Sequence, residues 1–406
     1  MRLYDTLSGE ACAFESGPEV SMYVCGITPY DTTHLGHAFL YVVFDVLMRH
    51  LEASGYTVTY TQNVTDIDDD ILRKSAELAM DYRELARRET ERFQRDLAAL
   101  NVRPPDHYPR ATQEIDRMVA LIGQLVERGH AYEREGNVYF RLSSYASYGA
   151  LSKLNRAEML EIAAERGGNP DDPLRDDPLD FQLWQKAAPS EPSWPSPWSD
   201  GRPGWHIECS EMALRYLGQP VTIHGGGSDL IFPHHECERA QSESLNPDEP
   251  FVRFWVHVGM LRYENEKMSK SLGNLVLVGD LVEEYSPDAI RLALLSHHYR
   301  ESWEYEHKVL TTAQAWADQL AAALELRSGD GQPLDPSLRA AEYAAALDND
   351  MDIPTAIHEL LGLACEMEVG SRAGASIAAA REVLREKGDI LGLTFQPTVV
   401  NPARQP

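Results

Sequence analysis

The chain is short of cysteine, short of basic residues and free of long apolar runs. Each shortage removes a class of protein. Five cysteines stand in 406 residues: Cys12, Cys25, Cys209, Cys237 and Cys365. An odd number at irregular spacing argues against a disulfide framework and for a reducing compartment. No apolar stretch can span a bilayer and no secretory leader is visible, so a cytosolic, membrane-free protein is expected. Lysine and arginine number 37 against 64 aspartates and glutamates, a formal charge of −27. That deficit argues against broad contact with nucleic-acid phosphates. It leaves two readings, plain solubility or a local basic patch on an acidic surface. No internal repeat occurs, and the length allows a large core in two or three domains.

What is present centres on Cys25-Gly-Ile-Thr-Pro-Tyr-Asp-Thr-Thr-His34-Leu-Gly-His37. Val20–Val24 before it reads as a strand, and Ala38–Ala53 after it has apolar residues at helical spacing. Thr57–Thr65 reads as a second strand. The unit is therefore βαβ, with its turn at the carboxyl end of the first strand, where open α/β sheets place ligands. Gly36 lies in that turn, and the helix N-terminus aims N–H groups at an anion such as phosphate. Taken alone, Cys25 reads as a core thiol and His34 and His37 as loop histidines.

Residues 72–129 predict helix, with Leu85, Phe93, Leu97 and Leu100 on one face and a break at Pro104-Pro105. Val138–Phe140 is a short strand. Residues 141–203 hold eight prolines and predict loop. Val221–His224 is a strand leading into Gly225-Gly-Gly-Ser-Asp229, and Phe254–Val258 is another. Lys267-Met-Ser-Lys-Ser271 follows, two lysines in a small-residue loop that suit a mobile clamp on a triphosphate. Helices are predicted over 288–296, 311–326, 340–347, 354–369 and 376–387, and a frayed tail over 394–406.

His-Leu-Gly-His early and Lys-Met-Ser-Lys-Ser late resemble the signature pair of class I aminoacyl-tRNA synthetases. Between them come Cys209, in Gly204-Trp-His-Ile-Glu-Cys209, and His234 and Glu238, in Phe232-Pro-His-His-Glu-Cys-Glu238. With Cys25 they make two thiolates, an imidazole and a carboxylate, a set that suits zinc. The whole pattern resembles the cysteinyl-tRNA synthetase family from about residue 20 to about 300. The resemblance implies an α/β fold: a class I synthetase-type Rossmann-like domain with an inserted subdomain, then a C-terminal α-helical bundle. The expected divisions are 1–103 and 204–286 for the two catalytic halves, 104–203 for the insertion, 287–393 for the bundle and 394–406 for a tail.

The resemblance also implies the site. His34, His37, Lys267 and Lys270 would serve catalysis with ATP and Mg²⁺. Cys25, Cys209, His234 and Glu238 would hold one Zn²⁺ per chain, either to take the substrate sulfur or as a closed structural site. Thr28 and Trp205 would line the cysteine pocket and Asp229 would hold the ammonium. Gly26, Ile27, Asn63, Val64, Thr65, Gly227, Ser228 and Leu261 would complete the cysteine and nucleotide sites. The acidic run Asp66–Asp70 suits either a helix start or an adenylate contact. His224, His235, Glu236 and Cys237 read as packing or supporting groups. Phe39-Leu40 stands where the family tends to have a small residue and a threonine, which puts one adenylate contact in doubt.

Two related activities share this activation half. Glu165-Arg-Gly-Gly-Asn-Pro170, Gly26–Asp31, Gln62–Asp69, Ser193–Pro197 and Asn274–Val278 resemble the mycothiol-synthesis ligase, which joins cysteine to glucosaminyl-inositol. Glu238, Lys270–Asn274 and Asp177–Phe181 look like the tRNA synthetase. The chain ends with the helical bundle, and residues 311–406 carry 7 Lys+Arg against 14 Asp+Glu, a poor anticodon-stem surface. The expectation is a monomeric ligase of L-cysteine, ATP and a small amino-sugar acceptor. A short cysteine–tRNA ligase acting on tRNA-Cys is the alternative, and a non-catalytic paralogue is a third reading.

Overall fold

The computed structural model describes residues 1–30, 33–166, 168–189, 191–264, 266–268 and 274–396. β1 (Glu19–Ile27) runs into α1 (Leu35–Ala53) and returns as β2 (Thr57–Val64). After the insertion come α2 (Trp205–Leu217), β3 (Val221–Gly227), α3 (Glu236–Leu245) and β4 (Val252–Val258). The four strands form one parallel sheet in the order β4-β3-β1-β2. β1 reads as an apolar run because helices cover both faces of a parallel sheet. α1 is buried on nearly every side, since the sheet lies against one face and C-terminal helices against another.

The βαβ expectation is met, and the two halves leave the sheet centre in opposite directions. β1 connects outward to β2, and β3 connects outward to β4. The crevice at the carboxyl ends of β1 and β3 is the switch point where such sheets take ligands. Beyond β4, β5 (Leu261–Tyr263) pairs with Glu266–Lys267 and, in parallel, with β6 (Trp303–Glu304).

The insertion differs from its sequence reading. Ala131–Arg134, Asn137–Phe140, Phe181–Lys186 and Gly201–Pro203 form a four-stranded antiparallel sheet, with a helix over Arg156–Glu165. The flanking prolines hid Phe181–Lys186, of which Phe181, Leu183 and Trp184 pack in the core. The 72–129 stretch is three helices, Asp69–Leu78, Tyr82–Ala99 and Ile115–Glu127, and Pro104-Pro105 lies in the second connection. Asp81 starts the second helix by accepting from Arg83 N at 2.8 Å.

The C-terminal helices are Pro287–Leu294, His307–Glu325, Ser337–Asp348, Ile353–Arg372 and Ala378–Ile390. They share one apolar core with α1. Arg291 ties them to it. Fully buried, it donates to Asp45 Oδ2 on α1 (2.7 Å), Leu100 O (2.9 Å) and Leu391 O (2.9 Å). The start of the expected 394–406 tail is held in place, and residues 397–406 lie outside the described residues. Thr394 N and Phe395 N both donate to Asp288, at 2.9 and 2.7 Å. Among the described residues no helix is long and apolar enough to cross a membrane.

Candidate active site and metal centre

The turn after β1 is built on a close approach of two strands. A Cβ at Gly26 would lie 1.6 Å from Asn63 O, so only glycine fits. Gly26 N donates to Asn63 Oδ1 at 2.7 Å, and Thr65 N to Ile27 O at 3.0 Å. Asn63 Nδ2 reaches Thr65 Oγ1 (3.3 Å), which donates to Glu208 Oε2 (2.9 Å). Tyr41 OH holds Cys25 O at 2.9 Å. His34 caps α1 by accepting from Gly36 N at 3.1 Å, and its ring stacks on His37 with centroids 3.9 Å apart.

Cys25, Cys209, His234 and Glu238 converge from β1, α2, the turn before α3 and α3 itself. One ligand atom of each lies within 4.8 Å of every other, and all four are buried. The two sulfurs are 3.8 Å apart, too far for a disulfide. His234 Nε2 sits 3.0 Å from Glu238 Oε1, while its Nδ1 is 2.9 Å from His206 Nδ1. That second contact fixes the ring. Burial raises the Cys25 thiol and the Glu238 carboxyl well above their usual range, and lowers His234 and His235. Among the described residues the ion-pair partners of Glu238 are all histidines. Two thiols, a buried carboxylate and neutral imidazoles with no lysine or arginine among them fit a divalent cation.

Other histidines lie closer than their sequence reading implied. His235 Nε2 is 3.3 Å from Cys25 Sγ, and His224 Nε2 is 2.9 Å from Glu238 Oε2. Cys25, His224, His235 and Glu238 thus form a second group of metal-ligand geometry sharing two members with the first. His235 Nδ1 meets His257 Nε2 (2.8 Å), whose Nδ1 meets Thr6 Oγ1 (2.7 Å). Glu236 and Cys237 do pack against the insertion, through Ser152 N (2.8 Å) and Tyr148 OH (3.3 Å).

Residues 13–315 match the family described as tRNA synthetases class I (C) catalytic domain. The chain belongs to that family. This class I synthetase domain is 42% identical over 401 residues to the cysteine–tRNA ligase of Dehalococcoides mccartyi, covering 97% of this chain and 86% of that protein. It is 45% identical over 363 residues to the L-cysteine:1D-myo-inositol 2-amino-2-deoxy-alpha-D-glucopyranoside ligase of Streptosporangium roseum, covering 88% and 87%. The cysteine–tRNA ligase of Alkalilimnicola ehrlichii is 47% identical over 379 residues, covering 92% and 81%. A solved Mycobacterium tuberculosis methionyl-tRNA synthetase in complex with methionyl-adenylate has the same fold. The TM-score is 0.68 at 17% identity, covering 92% of this chain and 89% of that one. Like its family, the synthetase domain is an ATP-dependent ligase.

The remaining expected residues of the synthetase domain fall as follows. Trp205, 39% exposed, stacks on His234 of the ligand group at 4.2 Å. Thr28 and Gly227, Ser228 and Asp229 are part-exposed at the ends of β1 and β3. Val64 ends β2 fully buried, and Leu261 is buried on β5 beside Trp303. The Lys267 backbone lies opposite Arg262. Its side chain and all of Lys270 lie outside the described residues. Each aspartate of the 66–70 run has a partner. Asp66 accepts from Thr112 (2.9 Å and 2.7 Å), and Asp68 caps the next helix through Ile71 N (2.8 Å). Asp69 pairs with Arg202 and Asp70 with Arg73. The geometry favours the helix-start reading of that run. Sequence reasoning missed His206, His257, Glu208 and Tyr41. The first and third stand inside Gly204–Cys209, one helical turn or less from Cys209, which was the available signal.

Proposed function

We propose that the protein activates L-cysteine with ATP and transfers it to the amine of a glucosaminyl-inositol acceptor, as in mycothiol synthesis. The cysteine half rests on one observation, the buried Cys25–Cys209–His234–Glu238 group beside the β1–α1 turn. Zinc, when bound there, supplies a soft site that takes a thiolate far better than a hydroxyl. Serine and cysteine are otherwise too alike for an apolar pocket to separate. Trp205 and Thr28 line the amino-acid pocket and Asp229 holds its ammonium. Gly26, Ile27, Asn63, Val64, Thr65, Gly227, Ser228 and Leu261 line the rest.

The substrate carboxylate attacks the α-phosphorus of ATP, and pyrophosphate leaves with its bonding electron pair. His34 and His37 contact the phosphates, and Lys267 and Lys270 follow the departing charge, with Mg²⁺ accompanying ATP. The acceptor amine then attacks the adenylate carbonyl, an amide forms, AMP leaves and the amine loses a proton. The protein acts as a monomer.

The choice of an amino sugar over tRNA is supported by the C-terminal surface. Several of its described cations are already paired, Arg339 with Glu359 and Glu366, Arg372 with Glu368 and Lys387 with Glu386. An anticodon stem would need free cations there. Cysteine–tRNA ligase is the second reading, favoured by Glu238 and by Lys270-Ser-Leu-Gly-Asn274. Acceptor competition tests the choice: purified protein, ATP and radiolabelled cysteine, offered tRNA or glucosaminyl-inositol. The amino-sugar product should form without RNA. Efficient tRNA charging with no amino-sugar product would promote the second reading.

A further inference from the structure

A hydrogen-bonded chain runs from the metal group to the N-terminal hairpin, and the function above makes no use of it. Arg2–Asp5 and Glu10–Ala13 pair antiparallel, and the start of the turn between them is fastened to β4. Thr6 N donates to Trp255 O (2.9 Å), and Trp255 N donates back to Asp5 Oδ1 (3.0 Å). Those two bonds hold Thr6 beside His257, two residues further along β4. Thr6 Oγ1 is 2.7 Å from His257 Nδ1. His257 Nε2 is 2.8 Å from His235 Nδ1, and His235 Nε2 is 3.3 Å from Cys25 Sγ. His235 is fully buried and His257 is 6% exposed. A Cβ on Gly226 would lie 2.8 Å from His235 Cε1, so β3 leaves this ring its room by carrying glycine there.

The direction of the chain follows from its inner end. A ligating cysteine is a thiolate and can only accept. His235 Nε2 must then carry the proton that faces Cys25. Both rings are buried, where the neutral imidazole is the cheaper form, so His235 Nδ1 is bare and accepts. His257 Nε2 donates to it, which leaves His257 Nδ1 bare in turn. The atom that meets this nitrogen is a hydroxyl oxygen, and a hydroxyl can donate. Remove that donor and the outer end no longer favours one arrangement. A proton on His257 Nδ1 would reverse both rings and turn the His235 Nε2 lone pair towards the sulfur. We propose that Thr6 is a positioning residue for the metal group. Its hydroxyl sets the tautomers of His257 and His235, so that an N–H faces the Cys25 thiolate. The inference rests on the metal reading of the Cys25 group proposed above.

The test compares the full chain as wild type, Thr6→Val and Thr6→Ser. Valine keeps the shape and removes the hydroxyl, whereas serine keeps the hydroxyl. Zinc affinity is read by competition with a chelator, and the sulfur is read by the thiolate-to-cobalt absorption band of protein loaded with Co²⁺. Thr6→Val should bind zinc about tenfold more weakly, the lower end of what outer partners of metal ligands are worth. Its cobalt band should move to lower energy, because the sulfur loses a hydrogen bond. Thr6→Ser should match wild type in both. In pyrophosphate–ATP exchange, Thr6→Val should raise the KM for cysteine and leave that for ATP unchanged. Unchanged zinc affinity and cobalt band in Thr6→Val, or an equal loss in Thr6→Ser, overturns the inference alone. A wild type that binds neither metal overturns the metal reading and this inference together. Should Thr6→Val fail to fold, nitrogen–proton correlation spectra of the histidine rings in zinc-loaded wild type still decide. His235 and His257 should both carry the proton on Nε2, and a proton on Nδ1 of either overturns the proposal.

Discussion

Gly26→Ala asks whether the approach of β1 to β2 holds the metal group together. The added Cβ would sit 1.6 Å from Asn63 O and 2.7 Å from Asn63 C. Real Cβ contacts do not fall below 3.0 Å, so the strands must part by roughly 1.4 Å there. Both colliding groups are backbone, so no side chain can swing away. The hydrogen bonds Gly26 N to Asn63 Oδ1 and Thr65 N to Ile27 O span the gap and would stretch beyond use. Overpacking costs about 1–3 kcal/mol and each bond about 1, so the loss is about 4 kcal/mol. At about 2.1 cal/mol/K per residue, a chain of this length loses about 5 °C in Tm. Cys25 is the neighbouring residue and would move by about an ångström, which is worth about 100-fold in activation rate. Thermal unfolding followed by circular dichroism, zinc content and pyrophosphate–ATP exchange read the three effects. A variant with unchanged Tm and full zinc content would sink the reasoning.

Three further outcomes are expected. Metal analysis of protein purified without chelators should find about one zinc per chain, and Cys209→Ser should lose both metal and cysteine activation. Turnover of serine comparable to cysteine would remove zinc from the account. Lys267→Ala and Lys270→Ala should lower the rate of adenylate formation more than cysteine affinity, because they meet charge that develops on the leaving pyrophosphate. Full activity in both would assign that loop to structure. Burial raises Asp68 from 3.8 to about 7. Its native pKa then exceeds its unfolded one, so its contribution is fullest below the unfolded value and is lost as pH rises towards the native one. Asp68→Asn keeps the helix cap and should flatten the fall in Tm between pH 5 and pH 8. The same slope in the variant would show that another group titrates.

The central βαβ unit was legible because its signals are local. Val20–Val24 is a short apolar run, α1 has apolar residues at helical spacing, Thr57–Thr65 is β-prone, and the turn between the first two is marked by Gly26 and Gly36. The four ligands were legible through their residue types and the two flanking motifs, since no periodicity brings residue 25 to residue 238. Of the insertion sheet only Val138–Phe140 was legible. Phe181–Lys186 is short and framed by prolines, and its partners Val138 and Arg202 lie far along the chain. The histidine chain from Cys25 through His235 and His257 to Thr6 was hidden for the same reason. A lone histidine in a strand looks like packing until the neighbouring strand is placed beside it.

The metal group also sets an order of events during synthesis. Cys25 precedes Cys209 by 184 residues and Glu238 by 213. At about 5–20 residues per second, its thiol waits roughly 10–40 s before the last ligand is made. In that interval the insertion sheet, whose strands all lie between residues 131 and 203, can close on its own. A metal ion bound afterwards by the four ligands would clasp a loop already filled with structure. A cross-link over so long a loop removes the most freedom from the unfolded chain. A nascent chain cut short between residues 209 and 238 would carry both soft thiols and no complete site to hold what they attract.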